Sequence, residues 1–409
     1  MTSPGTTSPA STSPAATDTR GAPVVRAVLR NAEQTVVITP IEFVGSPTPS
    51  LGVEWEFALT DKRTGDLSNS AAALFELVGS RIPGPDGKVH KELLRNTVEL
   101  VTGICRNTGE AMADLSATLG AVRELTDELG VDLYGAGTHP FAEWSTQLLT
   151  EGHRYAELIE RTQYWGRQML IWGVHVHVGI DRRDKVLPIL DALLNYYPHL
   201  LALSASSPMW AGQDTSYASN RAMMFQQLPT AGLPFQFTRW AQFEKFVSDQ
   251  KITGIIDHTN EIRWDIRPSP HLGTIEVRVC DGATNIAELS ALVALIHCLV
   301  VDLSQRMDAG EELPTMPPWL VQENKWRAAR YGLDAIVICD RELDERLVTD
   351  DLADLLKHLE PIADSLDCSD ELAGIHGTIE RGASYQRQRA VFARTGSMRE
   401  VVASVVAEL

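Results

Sequence analysis

Gly52-Val53-Glu54-Trp55-Glu56-Phe57 alternates acidic and apolar side chains with the two-residue period of a β-strand, putting Glu54 and Glu56 on one face and Val53, Trp55 and Phe57 on the other. Alone, such a strand reads as a packed face backed by a wet one. Two further stretches repeat the arrangement. Val174-His175-Val176-His177-Val178 sets two imidazoles against three valines, and Thr274-Ile275-Glu276-Val277-Arg278-Val279 sets Glu276 beside Arg278 against an Ile/Val face. A hydrogen-bonded structural pair is the plain alternative for the histidines, and a surface ion pair for Glu276 and Arg278. Strands offering Glu/Glu, His/His and Glu/Arg, with few solubilising Lys or Thr, are hard to account for as solvated faces. Together they predict one polar floor.

Glu92-Leu93-Leu94-Arg95-Asn96-Thr97-Val98-Glu99-Leu100-Val101-Thr102 adds two acids, with Glu99 in an apolar setting that disfavours an unpaired charge. A cation is the natural partner. Carboxylates with an imidazole form a hard, oxygen-rich donor set that suits Mg²⁺ or Mn²⁺ bridging phosphates and fits zinc poorly.

Around these strands, apolar periodicity predicts helices near Ala111–Leu129, His153–Leu170, Lys185–Ser204, Ile286–Met307 and Asp350–Leu366, with strands at Leu51–Leu59, Val131–Gly135, Trp172–Ile180 and Thr274–Val279. That order predicts an α+β fold and not a doubly wound sheet. Met1 to about Ala22 is nearly all Ser, Thr, Pro, Ala and Gly, a composition too poor in apolar side chains to order itself. Residues 1–45 are therefore expected to be a disordered leader with a lead-in segment, and 46–409 a single catalytic domain. Leu313 to Pro318 reads as a bend within that domain.

Lys plus Arg number 36 against 54 Asp plus Glu, a net charge of -18 that repels nucleic acid and anionic membrane in the absence of a basic run. A few local arginines with Mg²⁺ still suffice for a nucleotide. The five cysteines are scattered without a CxxC pair and read as reduced cytosolic thiols. No apolar run approaches the roughly 20 residues of a membrane span. The N-terminus lacks a secretion signal, and a cytoplasmic location is expected. A homodimer is plausible on general frequency.

With these residues in view, the chain resembles the glutamate-cysteine ligase type 2 family of carboxylate-amine ligases, relatives of glutamine synthetase and the guanidino kinases in fold. The resemblance covers most of the chain and runs in order through nine short blocks. They include Gly52–Phe57, Glu92–Thr102, Gly137–Phe141, Gly173–Gly179, Ser206–Trp210, Asp214–Arg221, Pro268–Pro270, Gly273–Asp281 and Glu323–Asp334. Trp55 departs from the pattern, standing where many members have a third glutamate, but its side chain belongs to the packed face.

The resemblance implies a curved antiparallel sheet with helices on its convex side, holding ATP and two or three Mg²⁺ ions on the other. By motif position Glu54, Glu56, Glu92, Glu99, His175 and Glu276 are implied as metal ligands, His177 as a nucleotide contact, and Arg278, with Glu276, as catalytic at the phosphoryl group. Thr102, Tyr217 and Arg221 are candidate substrate contacts; a surface arginine is the alternative for Arg221. Gly212 to Pro234 is a candidate lid.

The implied reaction is attack of a glutamate-like carboxylate on ATP's γ-phosphate and displacement of phosphate from the acyl phosphate by a cysteine-like amine. No protein nucleophile is needed, in keeping with the lack of a GxSxG elbow. An amine or guanidino phosphotransferase of related fold, and a catalytically silent ATP/Mg²⁺ sensor, are the competing readings. The exact substrates lie beyond the sequence.

Overall fold

The opening alternation forms β1 (Leu51–Asp61), whose first residues alternate between full burial and partial exposure. This computed structural model describes residues 40–82 and 88–409, so the Ser/Thr/Pro-rich leader lies outside the described residues. Around β1 are β2 (Val89–Lys91), β3 (Thr97–Val101), β4 (Val131–Tyr134), β5 (Gly173–Gly179), β6 (Met209–Trp210), β7 (Gln213–Asp214), β8 (Ile266–Ser269) and β9 (Thr274–Asp281). β6 and β7 pair only with each other; the others form a seven-stranded sheet in the order β2-β3-β1-β5-β9-β8, with β4 beside β1. Every pairing in that sheet is antiparallel.

Register puts the polar residues side by side. Glu54 is opposite His175, Glu56 opposite Glu99, His177 opposite Glu276, and Glu276 opposite Arg267. Directly opposed residues on one sheet face stand about 5 Å apart at Cβ, so five strands assemble one polar surface. A slip of one residue would turn every one of these side chains into the core.

The opposite face supplies the core. Val53, Trp55, Phe57, Val98, Leu100, Val174, Val176, Val178, Ile275 and Val277 are buried in one cluster with helix residues. Helices in that cluster include α1 (Ala71–Arg81), α2 (Thr108–Glu128), α4 (Arg183–Leu193), α5 (Tyr197–Ser204), α6 (Asn220–Phe225) and α8 (Ile286–Asp308); α3 (His153–Arg167) and α7 (Trp240–Ile252) fall between them in sequence. The chain continues through α9 (Pro318–Tyr331), the hairpin β10 (Ile336–Ile338) and β11 (Glu345–Leu347), α10 (Val348–Ser365), α11 (Ser369–Arg381), α12 (Ser384–Thr395) and α13 (Met398–Glu408). Trp55 is fully buried in the packed face, where its Nε1–H donates to the Ala283 carbonyl at 3.2 Å.

Two expectations need correcting. The helix predicted over Lys185–Ser204 is two helices, α4 and α5, bent by 64°. Pro198 sits in the first turn of α5, where a missing N–H costs nothing, and it could not continue α4. Second, α8 is apolar and long enough to cross a membrane by composition, with a mean hydropathy of 2.1 over 18 residues. It is the helix expected near Ile286–Met307, with Glu288, His297 and Asp302 interrupting its apolar run. In the fold 83% of that window is buried, so α8 is the central core helix. His297 donates from Nε2 to the Pro49 carbonyl at 2.7 Å, while its Nδ1 is buried with no hydrogen-bond partner among the described residues.

Candidate active site

Glu54 joins both histidines. His175 Nδ1 lies 2.7 Å from Glu54 Oε2, and His177 Nε2 lies 3.2 Å from Oε1. The short first contact assigns the His175 proton to Nδ1 and leaves Nε2 with its lone pair. Burial, and then the Arg278 charge, push the His175 imidazole below its ordinary value against the pull of Glu54, so the ring is neutral. That is the form that ligates a cation. His177 is fixed on its other side by the Thr274 hydroxyl, 2.9 Å from Nδ1.

The acids divide into two electrostatic classes. Burial opposes the charge on Glu54, but hydrogen bonds from His175 and His177 outweigh it and hold the carboxyl well below the usual range. Glu276 is likewise buried, and the charges of Arg278 and Arg267 prevail. Glu99 is the reverse case: burial, then the charges of Glu92, Glu54 and Glu56, push it well above the carboxylate range. Glu56 and Glu92 are raised too, burial being the main cause in each. A buried acid flanked by acids has no protein partner that would let it ionise; a cation would.

Two groups of donors are spaced to hold such a cation: Glu54, His175 and Glu276, and Glu56, Glu99 and His175, each with ligand atoms within 4.8 Å of one another. The His175 tautomer leaves Nε2 free to ligate and Glu54 bound to Nδ1–H. Glu92 belongs to neither group and acts on Glu99 through its charge. Mostly carboxylate oxygens with one imidazole fit a hard divalent ion.

Next to this acid group lies a cationic one. Arg267 grips Glu276 with two bonds, Nε to Oε2 at 2.7 Å and Nη2 to Oε1 at 3.1 Å. Arg278 Nη1 donates to Glu276 Oε1 as well. Arg278 Nη1 also lies 3.4 Å from His175 Nδ1, and its Nε is buried without a partner among the described residues. The sequence reading had Glu276 and Arg278 but missed Arg267. The available signal was its place opposite Glu276 in a hairpin, three residues before the turn at 270–273.

The β5–β9 register shifts between Val174 and Val176, so the pairing near Arg278 is irregular and its carbonyls fall out of the ladder. Arg221 meets them. Expected either at the substrate or on the surface, it is 3% exposed, and Nη1 donates to the Arg278 and Val279 carbonyls at 3.2 and 3.4 Å. Only a glycine fits beneath it, because a Cβ on Gly173 would lie 2.1 Å from Arg221 Nη2. The segment expected as a lid is tied down nearby: Ser219 donates to buried Asp281 at 2.8 Å and Asn220 to the Ser207 carbonyl at 2.8 Å.

The other two expected substrate contacts are occupied elsewhere. The Thr102 hydroxyl accepts from the Val53 N–H at 3.0 Å, extending the β1–β3 pairing. Tyr217 meets Trp326 edge-on, and Arg330 lies over its ring at 5.6 Å to the centroid. Neither joins the hydrogen bonds of the polar floor. Behind the sheet, Asp265 and Lys325 form a buried ion pair at 2.7 Å, joined by the Tyr197 hydroxyl at 3.0 Å. The Asp265 carbonyl accepts from the Arg278 N–H at 2.8 Å.

The sequence pattern of glutamate-cysteine ligase family 2 (GCS2) matches residues 50–407. A Mycobacterium tuberculosis (strain ATCC 25618 / H37Rv) protein named "Putative glutamate--cysteine ligase 2" is 67% identical over 370 residues, covering 90% of this chain and 97% of that protein. A Mycobacterium sp. (strain KMS) relative, "Putative glutamate--cysteine ligase 2-1", is 68% identical over the same length and shares. Among solved structures, the glutamate-cysteine ligase of Francisella tularensis in complex with AMP is similar in fold, with a TM-score of 0.60 at 13% identity over 89% of each chain. The bifunctional glutathione synthetase of Pasteurella multocida gives a TM-score of 0.64 at 14% identity, over 88% of this chain and 52% of that one. With the pattern spanning nearly the whole described chain and relatives identical at two positions in three, this chain belongs to glutamate-cysteine ligase family 2.

Proposed function

We propose that this chain is an ATP-dependent carboxylate-amine ligase that joins the γ-carboxyl of glutamate to a cysteine-like amine through an acyl phosphate. One observation carries the reading: a group of acids short of cations adjoins an arginine held by Glu276, on one face of one sheet. Phosphoryl transfer calls for that equipment, since it depends on positioning and on neutralising charge. The Francisella ligase of similar fold is a complex with AMP, which agrees with nucleotide use here.

Mg²⁺, or Mn²⁺, would be held by Glu54, Glu56, Glu99, His175 and Glu276, with Glu92 contributing charge at the rim. Such an ion supplies charge neutralisation at the phosphate oxygens. The protein's own groups do the rest. Glu276, gripped by Arg267, orients the Arg278 guanidinium, which would meet the transferring phosphoryl group. Arg221 fixes the backbone that carries Arg278, and Thr274 fixes His177 for the nucleotide.

The test is phosphate release over a matrix of amino-acid carboxylates and amines with Mg·ATP, with products weighed by mass spectrometry. Phosphate should appear only when both substrates are present, with a γ-glutamyl amide as product. Phosphate retained on the product would point to a phosphotransferase. No turnover with glutamate against any amine would defeat the γ-glutamyl reading.

A further inference from the structure

β8 and β9 separate at Asp265, and the way they do so governs the backbone at Arg278. One residue beyond their last pair, Ile266 with Val277, the Asp265 carbonyl still accepts from the Arg278 N–H at 2.8 Å. A hydrogen-bonded antiparallel pair normally exchanges two such bonds. Here the return bond is replaced: the Asp265 N–H donates to the Gly232 carbonyl at 2.8 Å, and the Arg278 carbonyl accepts from Arg221 Nη1. One ladder bond, from Arg278 to Asp265, therefore ties this point of β9 to β8.

The side chain of Asp265 is anchored from two helices. Lys325 Nζ of α9 lies 2.7 Å from Asp265 Oδ2, and the Tyr197 hydroxyl of α5 donates to the same oxygen at 3.0 Å. All three residues are buried, Asp265 at 4% exposure and Lys325 at 2%. Desolvating a carboxylate and an ammonium commonly outweighs their attraction, and apolar side chains of similar volume often pack as well or better. Stability alone is a poor reason for ionic groups at this position. The backbone supplies another. With its N–H on Gly232, its carbonyl on Arg278 and its carboxylate on Lys325 and Tyr197, Asp265 cannot turn without breaking bonds to several elements at once. α9 also steadies the second support of Arg278. Its Ala329 carbonyl accepts the Ala218 and Ser219 N–H groups at 2.8 and 3.0 Å, at the entrance to α6, which carries Arg221.

We propose that Lys325 and Asp265 are positioning residues: their buried ion pair fixes the Asp265 carbonyl, which sets the β9 backbone from which the Arg278 guanidinium reaches the polar floor. Neither side chain touches the reacting groups, and both act through the backbone of Arg278. This rests on the ligase reading above and deepens it. α9 then serves the site twice, through Lys325 and through Ala329, although none of its side chains joins the hydrogen bonds of the polar floor among the described residues.

Three variants separate this role from a mere share in the core. Lys325→Met leaves the Asp265 carboxylate buried without its cation and should lose both stability and turnover. The triple variant Asp265→Leu, Lys325→Met, Tyr197→Phe makes the whole group apolar and should recover most of the wild-type urea midpoint. Its kcat should still be down about 10- to 100-fold, with the KM for ATP little changed, and its Arg278 N–H should exchange with deuterium faster than in wild type. Asp265→Asn keeps the shape and both hydrogen bonds, and it carries the test if the triple variant does not fold. By turning an ionic bond into a neutral one it should speed exchange at Arg278 about fivefold. Wild-type kcat in a folded triple variant would overturn the proposal and leave the pair a fixture of the core. Unchanged Arg278 exchange in the triple variant or in Asp265→Asn would overturn it too. Exchange is read without substrates, by mass spectrometry with residue-level fragmentation. A wild type that turns nothing over would therefore defeat the ligase reading, while exchange still decides whether the pair holds β9.

Discussion

Arg278 and Glu99 carry opposite burdens at the same site. Arg278→Ala should lower turnover by on the order of 10³-fold or more, while Arg267 continues to satisfy buried Glu276, so the protein stays folded. Circular dichroism with an amine-dependent phosphate assay checks both halves, and near-normal turnover would remove Arg278 from the reaction. Glu99 keeps its proton above the ordinary value of 4.5, at pH values where the unfolded chain has lost its own. The folded state then binds more protons than the unfolded one, so this residue makes the metal-free protein less stable as pH rises through that window. Glu54 and Glu276 have the opposite sign, adding stability above 4.5 that is lost as pH falls. Glu99→Gln should therefore gain stability relative to wild type between pH 5 and pH 8 in urea titrations without metal. It should also lose most of the stabilisation that Mg²⁺ gives the wild type. A pH-independent difference would mean that Glu99 is not held protonated.

Each element places its residues by a different device. β1, β3 and β5 need only alternation, which is visible in the sequence, and a register that their pairing sets. β9 needs more, because its irregular pairing with β5 sets the backbone at Arg278 and requires Arg221 from α6 to satisfy two carbonyls. Gly173→Ala puts a methyl group into the Arg221 guanidinium and should displace it. Small misplacements of a catalytic group can cost about 10²-fold in rate, so kcat should fall by roughly one to two orders of magnitude with the KM for ATP little changed. A kcat equal to wild type would separate Arg221 from the positioning of Arg278. α4 and α5 illustrate a local signal overriding a longer one: the apolar pattern runs on through Lys185–Ser204, but Pro198 starts a new helix.

At the scale of the molecule, a chain of net charge -18 gathers Arg267 and Arg278 on the same sheet face as its buried acids, both paired with Glu276. The scaffold holding that face is one core. Leu295 of α8 is fully buried, and Leu295→Ala should cost about 2–5 kcal/mol of unfolding free energy, read from chemical denaturation. A cost near zero would mean that α8 does not pack as the central helix. By itself the sequence determined the polar floor: period-two alternation assigns faces, so Glu54, Glu56, His175, His177, Glu276 and Arg278 are legible on one side of their strands without coordinates. It determined the α+β order for the same reason, since local periodicity is a local property. Only the tertiary structure decided which strands neighbour one another, and hence that Arg267 grips Glu276 and that Glu99 faces Glu56. It also decided that Arg221 turns inward to the β9 backbone, that Tyr217 packs against Trp326, and that Lys325 reaches Asp265. Those partners lie far apart in sequence or depend on register, and an arginine's role is set by the groups around its guanidinium, which the residue's own neighbours in the chain do not specify.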